Sequence, residues 1–287
     1  MSSIINSKKK ITKIFFSKMH ALGNDFIIIN NINKQIKLNQ KIIKKISNRK
    51  KGIGFDQILI VEKSNEKKID FFYKIFNADG SEIFQCANGA RCFAFFLFYK
   101  KITKKKNICI KTKNSYMKLR ILKKNNIEVN IGKPIFNPKK IPFITNIQKK
   151  TYKIKIKNKK IKIGVVSLGN PHCVIEVSNV KKTKINIIGK KIENHYLFPE
   201  KVNVSFMQIL DKNNIILRVY ERGVGETSSC GSAACASVAI GIIRKKLSSK
   251  VKVMFKEGNL YVKWKNIKKD LFMTGPVKYV YDGCIKI

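Results

Sequence analysis

The chain has 287 residues, 44% of them hydrophobic, which is enough for two domains that each bury a core. The formal net charge is +44, but only six of the 61 basic residues are Arg. Such an excess of Lys is typical of A+T-rich genomes. It argues only weakly for a nucleic-acid-binding protein, which would rely on Arg to read bases and phosphates. No apolar run reaches the roughly 18 residues of a membrane span, and seven cysteines without a paired zinc spacing predict a cytoplasmic protein with free thiols, no bound metal and no membrane contact.

The first half of the chain predicts mostly strands, with one short helix and one apolar helix. The strands are runs rich in Ile, Phe, Tyr and Val bounded by turn residues, and they cover residues 13–18, 26–30, 58–62, 70–76, 108–112, 116–122 and 127–131. Helical spacing of Ile predicts the short helix at 39–48. The apolar helix follows Cys86 and includes 93–99, and a helix that is apolar on every side must be buried.

The second half predicts the same order of elements. Its strands cover residues 152–156, 160–166, 173–177, 203–209, 215–220, 251–256, 259–264, 271–274 and a last one within 277–287. A short helix is expected at 185–191, and a second apolar helix follows Cys230 and includes 236–243.

Short motifs recur at a spacing near half the chain length. The tripeptide Leu-Gly-Asn ends at Asn24 and again at Asn170. Gln57 lies 33 residues after Asn24, and Asn203 lies 33 residues after Asn170. A cysteine followed by small residues comes 62 residues after the first asparagine and 60 after the second. Such self-similarity predicts a duplicated domain, whose halves would face each other across a pseudo-twofold axis.

The predicted fold class is therefore α+β. Each half is expected to be a barrel-like sheet wrapped round a central apolar helix, with the active site in the cleft between the two halves. The first domain is expected to cover 1–130 and to be joined by the C-terminal strand 276–287, and the second domain covers 131–275.

Each apolar helix is expected to begin at a cysteine, Cys86 or Cys230. Unpaired N–H groups and the helix macrodipole favour a thiolate at such a position, so we expect a lowered cysteine pKa. The same N–H groups can bind a carboxylate. Two such helix starts facing one cleft could remove an α-proton from one side of a carbon and return a proton to the other, with no cofactor. The remaining cysteines are expected in the core: Cys92, Cys109, Cys173, Cys235 and Cys284.

Six ordered motifs carry a family resemblance: MHALGNDF from Met19, GIGFDQ from Gly52, FNADGSE from Phe76, CANGARC from Cys86, GNPHC from Gly169 and ERGVGET from Glu221. Together they resemble the bacterial diaminopimelate epimerases over nearly the whole chain. The resemblance implies interconversion of LL- and meso-2,6-diaminoheptanedioate, in lysine and peptidoglycan biosynthesis, without a cofactor.

The resemblance also implies roles for particular residues. Cys86 and Cys230 would be the catalytic thiols, and His172 and Glu221 would adjust their pKa values. The substrate-binding residues implied are Asn24, Gln57, Asn77, Ala87, Asn88, Asn170, Asn203, Glu221, Arg222, Gly231 and Ser232; of these, Ala87, Asn88, Gly231 and Ser232 would hold the reacting carboxylate through their backbones. The family implies a homodimer with a contact at Tyr281, and no nucleic-acid partner.

Three positions depart from the family pattern, and two other functions stay open. Ala87 and Ala233 replace glycines, which is costly only at a positive φ, and Val224 occupies a position that is usually small. A cysteine-pair racemase of another amino acid such as proline is one alternative, and it would not need Arg222. A basic nucleic-acid-binding module is the other. A disulfide between Cys86 and Cys230 would be a liability of the empty cleft.

Overall fold

The computed structural model describes residues 13–83, 85–156 and 158–287. The helices are α1 (Gln40–Ser47), α2 (Ala87–Tyr99), α3 (Ile185–Glu193) and α4 (Gly231–Ile243), and a short 3-10 helix covers Pro138–Lys140.

The strands of the first half are β1 (Lys13–Ala21), β2 (Asn24–Asn30), β3 (Gln57–Lys63), β4 (Phe71–Asn77), β5 (Glu82–Ile83), β6 (Asn107–Lys111), β7 (Tyr116–Ile121) and β8 (Asn126–Gly132). The others are β9 (Tyr152–Ile156), β10 (Lys159–Ser167), β11 (Pro171–Glu176), β12 (Asn203–Asp211), β13 (Asn214–Glu221), β14 (Gly225–Thr227), β15 (Lys250–Phe255), β16 (Gly258–Lys263), β17 (Leu271–Pro276) and β18 (Lys278–Lys286).

The strands form two runs with the same order and the same directions. In the first run the order is β18, β1, β2, β3, β4, β6, β7, β8, and in the second it is β9, β10, β11, β12, β13, β15, β16, β17. The parallel pairs are β2 with β3 and β4 with β6, matched by β11 with β12 and β13 with β15. Antiparallel pairing of β8 with β17 joins the runs. The chain therefore consists of two topologically equivalent halves, and β18 holds in the first the place that β9 holds in the second.

Each run of strands surrounds its own apolar helix. Helix α2 contacts β1, β2, β3, β7 and β8, and α4 contacts the equivalent strands β10, β11, β12, β16 and β17. Strands from both ends of a run can touch one helix only if the sheet wraps around it. The predicted α+β fold of two pseudo-symmetric sheets, each round an apolar helix, is confirmed.

The two central helices also share a single core. Helices α2 and α4 contact each other, and the largest cluster of buried hydrophobic residues contains side chains from both helices and both sheets. Two smaller clusters lie outside it, one under α1 and one under α3. The side chain of Asn39 caps α1 by accepting a hydrogen bond from the Ile42 N–H at 2.9 Å.

Sequence analysis did not predict the short strands β5 and β14, which follow the two loops before the cysteines. The domain boundaries at 130 and 276 stay a prediction. Among the described residues, none of the helices combines the length and the apolar composition that a bilayer crossing requires.

Candidate active site

Cys86 and Cys230 occupy the same place in the two halves, immediately before α2 and α4. Both have extended backbone angles, with φ of −146° and −137°, and both are helix N-caps. The Sγ atom of Cys86 accepts a hydrogen bond from the Gly89 N–H at 3.2 Å. Cys230 Sγ lies 3.5 Å from Ser232 Oγ. Each thiol therefore lies at the N-terminal end of a helix, among N–H groups that have no partner within the helix.

The two helix starts face each other. Asn88, in the first turn of α2, has its Nδ2 atom 3.4 Å from Ser229 Oγ and 3.5 Å from Ser229 O, one residue before Cys230. A Cβ atom at Gly231 would lie 3.2 Å from Asn88 Oδ1. Residues within two positions of each thiol are thus in contact across the two helix starts.

The expected lowering of the cysteine pKa values is wrong. Burial raises the pKa of Cys86 to about 11, although hydrogen bonds from the Gly89 and Asn88 N–H groups act in the opposite direction. Burial and the charge of Glu221 raise the pKa of Cys230 well above the ordinary value. Loss of hydration outweighs the helix start at both positions, because Cys230 is buried and Cys86 is partly buried. Both thiols are therefore protonated near pH 7.

Glu221, at the end of β13, is the carboxylate that both thiols share. It hydrogen-bonds with Cys230, and its charge raises the pKa of Cys86 as well as that of Cys230. Thr227 Oγ1 donates to Glu221 Oε1 at 2.5 Å and fixes the carboxyl group. Burial raises the pKa of Glu221 itself. A carboxyl with a raised pKa beside two thiols is suited to exchanging protons with them.

His172 lies beside the substrate-binding candidates of the second half. Its Nε2 atom is 2.9 Å from Asn170 Oδ1, and burial followed by the nearby charge of Arg222 lowers its pKa to about 3. The ring is therefore neutral at pH 7, with its proton on the nitrogen that faces the asparagine oxygen. Its hydrogen bond goes to an amide and not to a thiol, so the predicted adjustment of the thiol pKa values by His172 stays a prediction.

The polar candidates of the first half form a chain of amides. Asn88 Nδ2 lies 3.4 Å from Asn24 Oδ1, which connects the start of α2 with the turn between β1 and β2. Gln57 and Asn77 are cross-strand partners on β3 and β4, and Gln57 Nε2 donates to Asn77 Oδ1 at 3.2 Å. Asn77 Nδ2 in turn donates to Ser81 Oγ at 3.1 Å.

In the second half, Asn203 connects two loops of the site. Its Nδ2 atom donates to the Pro171 carbonyl at 3.1 Å, and its Oδ1 atom accepts from the Arg222 N–H at 3.1 Å. The exposed guanidinium of Arg222 donates to the Glu200 carbonyl at 2.9 Å. The two halves also share the same strand register at the site. Asn203 on β12 is opposite His172 on β11, and Gln57 on β3 is opposite Phe26 on β2.

Two sets of residues around the site were not foreseen. Asp25 lies between Arg49 and Lys18; burial would raise its pKa, but hydrogen bonds from these two cations outweigh burial and hold the pKa at about 2. Arg49 also pairs with Asp56 at 2.9 Å, whose carboxylate accepts from Asn24 Nδ2 at 2.9 Å. The sequence does contain a signal for Arg49, as for Arg222: each is an Arg in a chain whose basic residues are nearly all Lys.

The second unforeseen group is Glu193, the last residue of α3. This buried carboxylate accepts from the Gly223 N–H at 2.6 Å and so fixes the loop that carries Arg222. Sequence alone does not distinguish Glu193 from a surface residue.

The substitutions at the family's glycine positions are accommodated. Ala87 and Ala233 lie in α2 and α4, and neither is among the described residues with positive φ. Val224 is 75% exposed, so its larger side chain points into solvent. Tyr281 lies on β18 opposite Lys18, 43% exposed, with its ring 6.1 Å from Phe16. Within the described ranges, no group of three or more His, Cys, Asp or Glu side chains is arranged to hold a metal ion.

Solved structures show where this fold occurs. A hydroxyproline epimerase from Agrobacterium vitis, crystallised with bound trans-4-hydroxy-L-proline, superposes with a TM-score of 0.69 at 10% identity, covering 96% of this chain and 93% of its own. A PhzF-family phenazine biosynthesis protein from Bacillus anthracis gives a TM-score of 0.68 at 17% identity, covering 96% and 100%. At these identities the likeness concerns the fold alone.

Sequence relatives are much closer. The diaminopimelate epimerase of Buchnera aphidicola subsp. Acyrthosiphon pisum (strain APS) is 52% identical over 287 residues, all of both chains. That of Blochmanniella floridana is 50% identical over 276 residues, covering 95% of this chain and 99% of its own. The profile of the family described as Diaminopimelate epimerase matches residues 16–137 and 164–280. The chain belongs to the diaminopimelate epimerase family.

Proposed function

We propose that the chain interconverts LL- and meso-2,6-diaminoheptanedioate by proton transfer between Cys86, Cys230 and the α-carbon, as a step of lysine and peptidoglycan biosynthesis. Membership of the family makes the chain an epimerase, and the names of its relatives supply the substrate. The observation that supports the two-thiol route is the contact between the starts of α2 and α4, the two helices that the equivalent cysteines cap.

The proposed reaction needs one thiolate and one thiol. The thiolate takes the α-hydrogen as a proton, and the electron pair of the broken C–H bond stays on the α-carbon and is delocalised into the carboxylate. The opposite thiol then gives its proton to the other face and becomes the thiolate. One S–H bond forms and one breaks, so the site ends with its protons exchanged between Cys86 and Cys230 and needs no oxidant or cofactor.

The substrate brings a positive charge that favours the thiolate needed for the reaction. Both thiols are protonated before binding, but the α-ammonium group of the substrate brings a positive charge into a dry site, where it favours a thiolate. Glu221 hydrogen-bonds with Cys230 and has a raised pKa, so it is placed to accept the proton that this thiol releases.

The carboxylate next to the reacting carbon needs fixed donors as charge develops on it. The N–H groups of Ala87 and Asn88 in α2, and of Gly231 and Ser232 in α4, lie in the first turns of the two helices. Such groups are unpaired within their helix and favour an anion. They are already in place before reaction, which is the condition for stabilising a transition-state charge.

The far end of the substrate carries a second ammonium and a second carboxylate. The proposed ligands of this end are the polar side chains of Asn77, Asn170, Asn203 and Arg222, and Asn24 and Gln57 belong to the same pocket. The planar guanidinium of Arg222 can bind a carboxylate through two parallel hydrogen bonds.

The proposal predicts solvent-derived deuterium in the substrate. Purified protein incubated with LL-diaminopimelate in D2O, without added cofactor, should form the meso isomer with one deuterium at the inverted α-carbon, because the proton delivered comes from an exchanged thiol. Mass spectrometry and NMR of the recovered amino acid measure this. L-Proline is the control substrate: exchange with proline and none with diaminopimelate would replace this proposal by a racemase of single-carboxylate amino acids.

The homodimer and the cytoplasmic location are also proposals. The seven free cysteines support a reducing compartment. A dimer contact at Tyr281 is supported by the exposed hydrophobic side chains of β1, β18 and the end of α2, which are Phe15, Phe98, Tyr99, Val280 and Tyr281. Sedimentation equilibrium should give twice the monomer mass, and Tyr281→Asp should weaken the dimer by placing a charge in this patch. A wild-type monomer would rule the dimer out.

A further inference from the structure

A buried cation lies on the helix that Cys86 caps. Arg91, in the second turn of α2, is 0% exposed. Within the described ranges its hydrogen bonds go to an amide oxygen and a carbonyl oxygen and to no carboxylate, and its Nε atom has no acceptor. Burial lowers the pKa of Arg91 only to about 10, so the guanidinium stays charged at pH 7. A buried charge without a counter-ion is expensive, so its position calls for a function.

The first effect of Arg91 is on the orientation of Asn88. Arg91 Nη2 donates to Asn88 Oδ1 at 2.7 Å, and its Nη1 donates to the Pro276 carbonyl at 3.2 Å. Because a guanidinium can only donate, the oxygen of the Asn88 amide must face Arg91. The Nδ2 group therefore faces the opposite helix start. Its contacts, to Ser229 at that helix start and to Asn24 at the start of β2, are 3.4–3.5 Å long and thus weak, which leaves the group able to donate to an anion.

The second effect is electrostatic and differs between the halves. The titratable groups that interact with Cys86 include Tyr73 on β4, Glu221 on β13, and Arg91 and Cys92 on α2. Glu221 opposes a thiolate at Cys86, whereas Arg91 favours it. Five residues after Cys230, the position equivalent to Arg91 is the uncharged Cys235. The other thiol has no such cation in the corresponding place of its own helix.

We propose that Arg91 is a positioning residue of the epimerase site, which holds the Asn88 amide with its oxygen toward the guanidinium and its N–H groups free to face the substrate, and places a permanent positive charge in the helix that Cys86 caps. The proposal deepens the two-thiol mechanism and rests on it for its catalytic meaning. The effect of Arg91 on Cys86 can nevertheless be measured without substrate. The Arg91 proposal and the two-thiol mechanism can therefore fail separately.

Selective alkylation measures the charge effect. The rates at which iodoacetamide labels Cys86 and Cys230 in the full chain, followed peptide by peptide with mass spectrometry from pH 7 to 10, report the thiolate fraction of each. Arg91→Met should slow labelling of Cys86 roughly tenfold, equivalent to one pKa unit, with Cys230 changed less than threefold. Arg91→Lys, which keeps the charge, should label Cys86 within threefold of wild type. Arg120→Met, which removes an exposed Arg paired with Glu128 at 2.9 Å, is the matched control and should leave both rates unchanged.

A second variant keeps the test decisive if Arg91→Met fails to fold. Asn88→Asp keeps the shape of the side chain but gives Arg91 a carboxylate partner, so its Tm should equal or exceed that of wild type. Its labelling of Cys86 should still slow, because the new negative charge cancels the guanidinium. A large drop in Tm for Asn88→Asp, or unchanged labelling of Cys86 in both Arg91→Met and Asn88→Asp, would overturn the proposal. Epimerase activity enters none of these measurements.

Discussion

Replacing Cys86 or Cys230 by Ser should lower kcat for diaminopimelate epimerisation about 10³-fold, within the range that acid–base groups contribute to catalysis. A serine hydroxyl has nearly the same shape but a much higher pKa than a thiol, so it neither takes the α-proton nor gives it up readily. In the proposed mechanism each inversion uses both sulfur atoms, one as base and one as acid. Either replacement is therefore sufficient to stop it.

Proton exchange without inversion makes this prediction specific. Each thiol faces one side of the α-carbon, so a variant with one thiol left should still remove and return a proton on that side. In D2O, Cys86→Ser should exchange the α-hydrogen of one configuration faster than that of the other, and Cys230→Ser should show the opposite preference. NMR of LL- and meso-diaminopimelate measures both rates. If both variants lost exchange for the same configuration, the two thiols could not lie on opposite sides of the α-carbon.

Cys109→Ser is the matched control for these variants. Cys109 is a partly buried, free thiol on β6 and belongs to neither helix start. Its replacement should leave kcat within a factor of three. A large effect there would mean that loss of any cysteine damages the fold, and the active-site interpretation of the other two variants would fall.

The repeat made much of the fold predictable from the sequence. The equal spacing of 33 residues from Asn24 to Gln57 and from Asn170 to Asn203 becomes two parallel strand pairs in the same register. The apolar segments that follow Cys86 and Cys230 become the two buried helices. Both signals are local or periodic, and such patterns report backbone geometry directly.

The parts that could not be predicted depend on distant residues. The two- and three-residue strands β5 and β14 carry too few residues for a pattern and form only because β4 and β13 offer an edge. The pKa values of Cys86 and Cys230 were expected to be lowered, because the sequence shows where a helix starts. The sequence does not show how deeply each thiol is buried, and burial raises both pKa values. The partner of Glu193 is a backbone N–H 30 residues away. None of these long-range contacts produces a recognisable pattern in the sequence.

Arg222→Met should raise KM for diaminopimelate about 100-fold, with a smaller fall in kcat. Arg222 is fixed through its backbone by Asn203, and its loop is fixed by Glu193. Its charge is close enough to His172 to lower the pKa of that ring. The guanidinium donates to the Glu200 carbonyl and has no carboxylate among its hydrogen-bond partners in the described ranges. Two charge-assisted hydrogen bonds to the distal carboxylate are worth about 3 kcal/mol, which corresponds to the 100-fold change.

Arg218→Met provides the matched control for this prediction. Arg218 lies on β13, the strand that ends immediately before Arg222, but its guanidinium pairs with Glu226 at 2.6 and 2.9 Å and donates to the Val180 carbonyl. Removing it disturbs the neighbouring hairpin without removing a proposed ligand. Its KM should stay within threefold of wild type, and an effect as large as that of Arg222→Met would assign both results to the hairpin.

The substrate itself separates recognition from damage. L-Lysine is diaminopimelate without the distal carboxylate, so it can place its α-carbon between the thiols but has nothing for Arg222 to bind. Wild type should exchange the α-hydrogen of lysine in D2O far more slowly than that of diaminopimelate, and Arg222→Met should reduce this preference about 100-fold by losing diaminopimelate alone. A variant that merely distorted the site would lose both substrates in proportion and keep their ratio. An unchanged ratio of kcat/KM therefore means that Arg222 does not bind the distal carboxylate, whatever the change in KM.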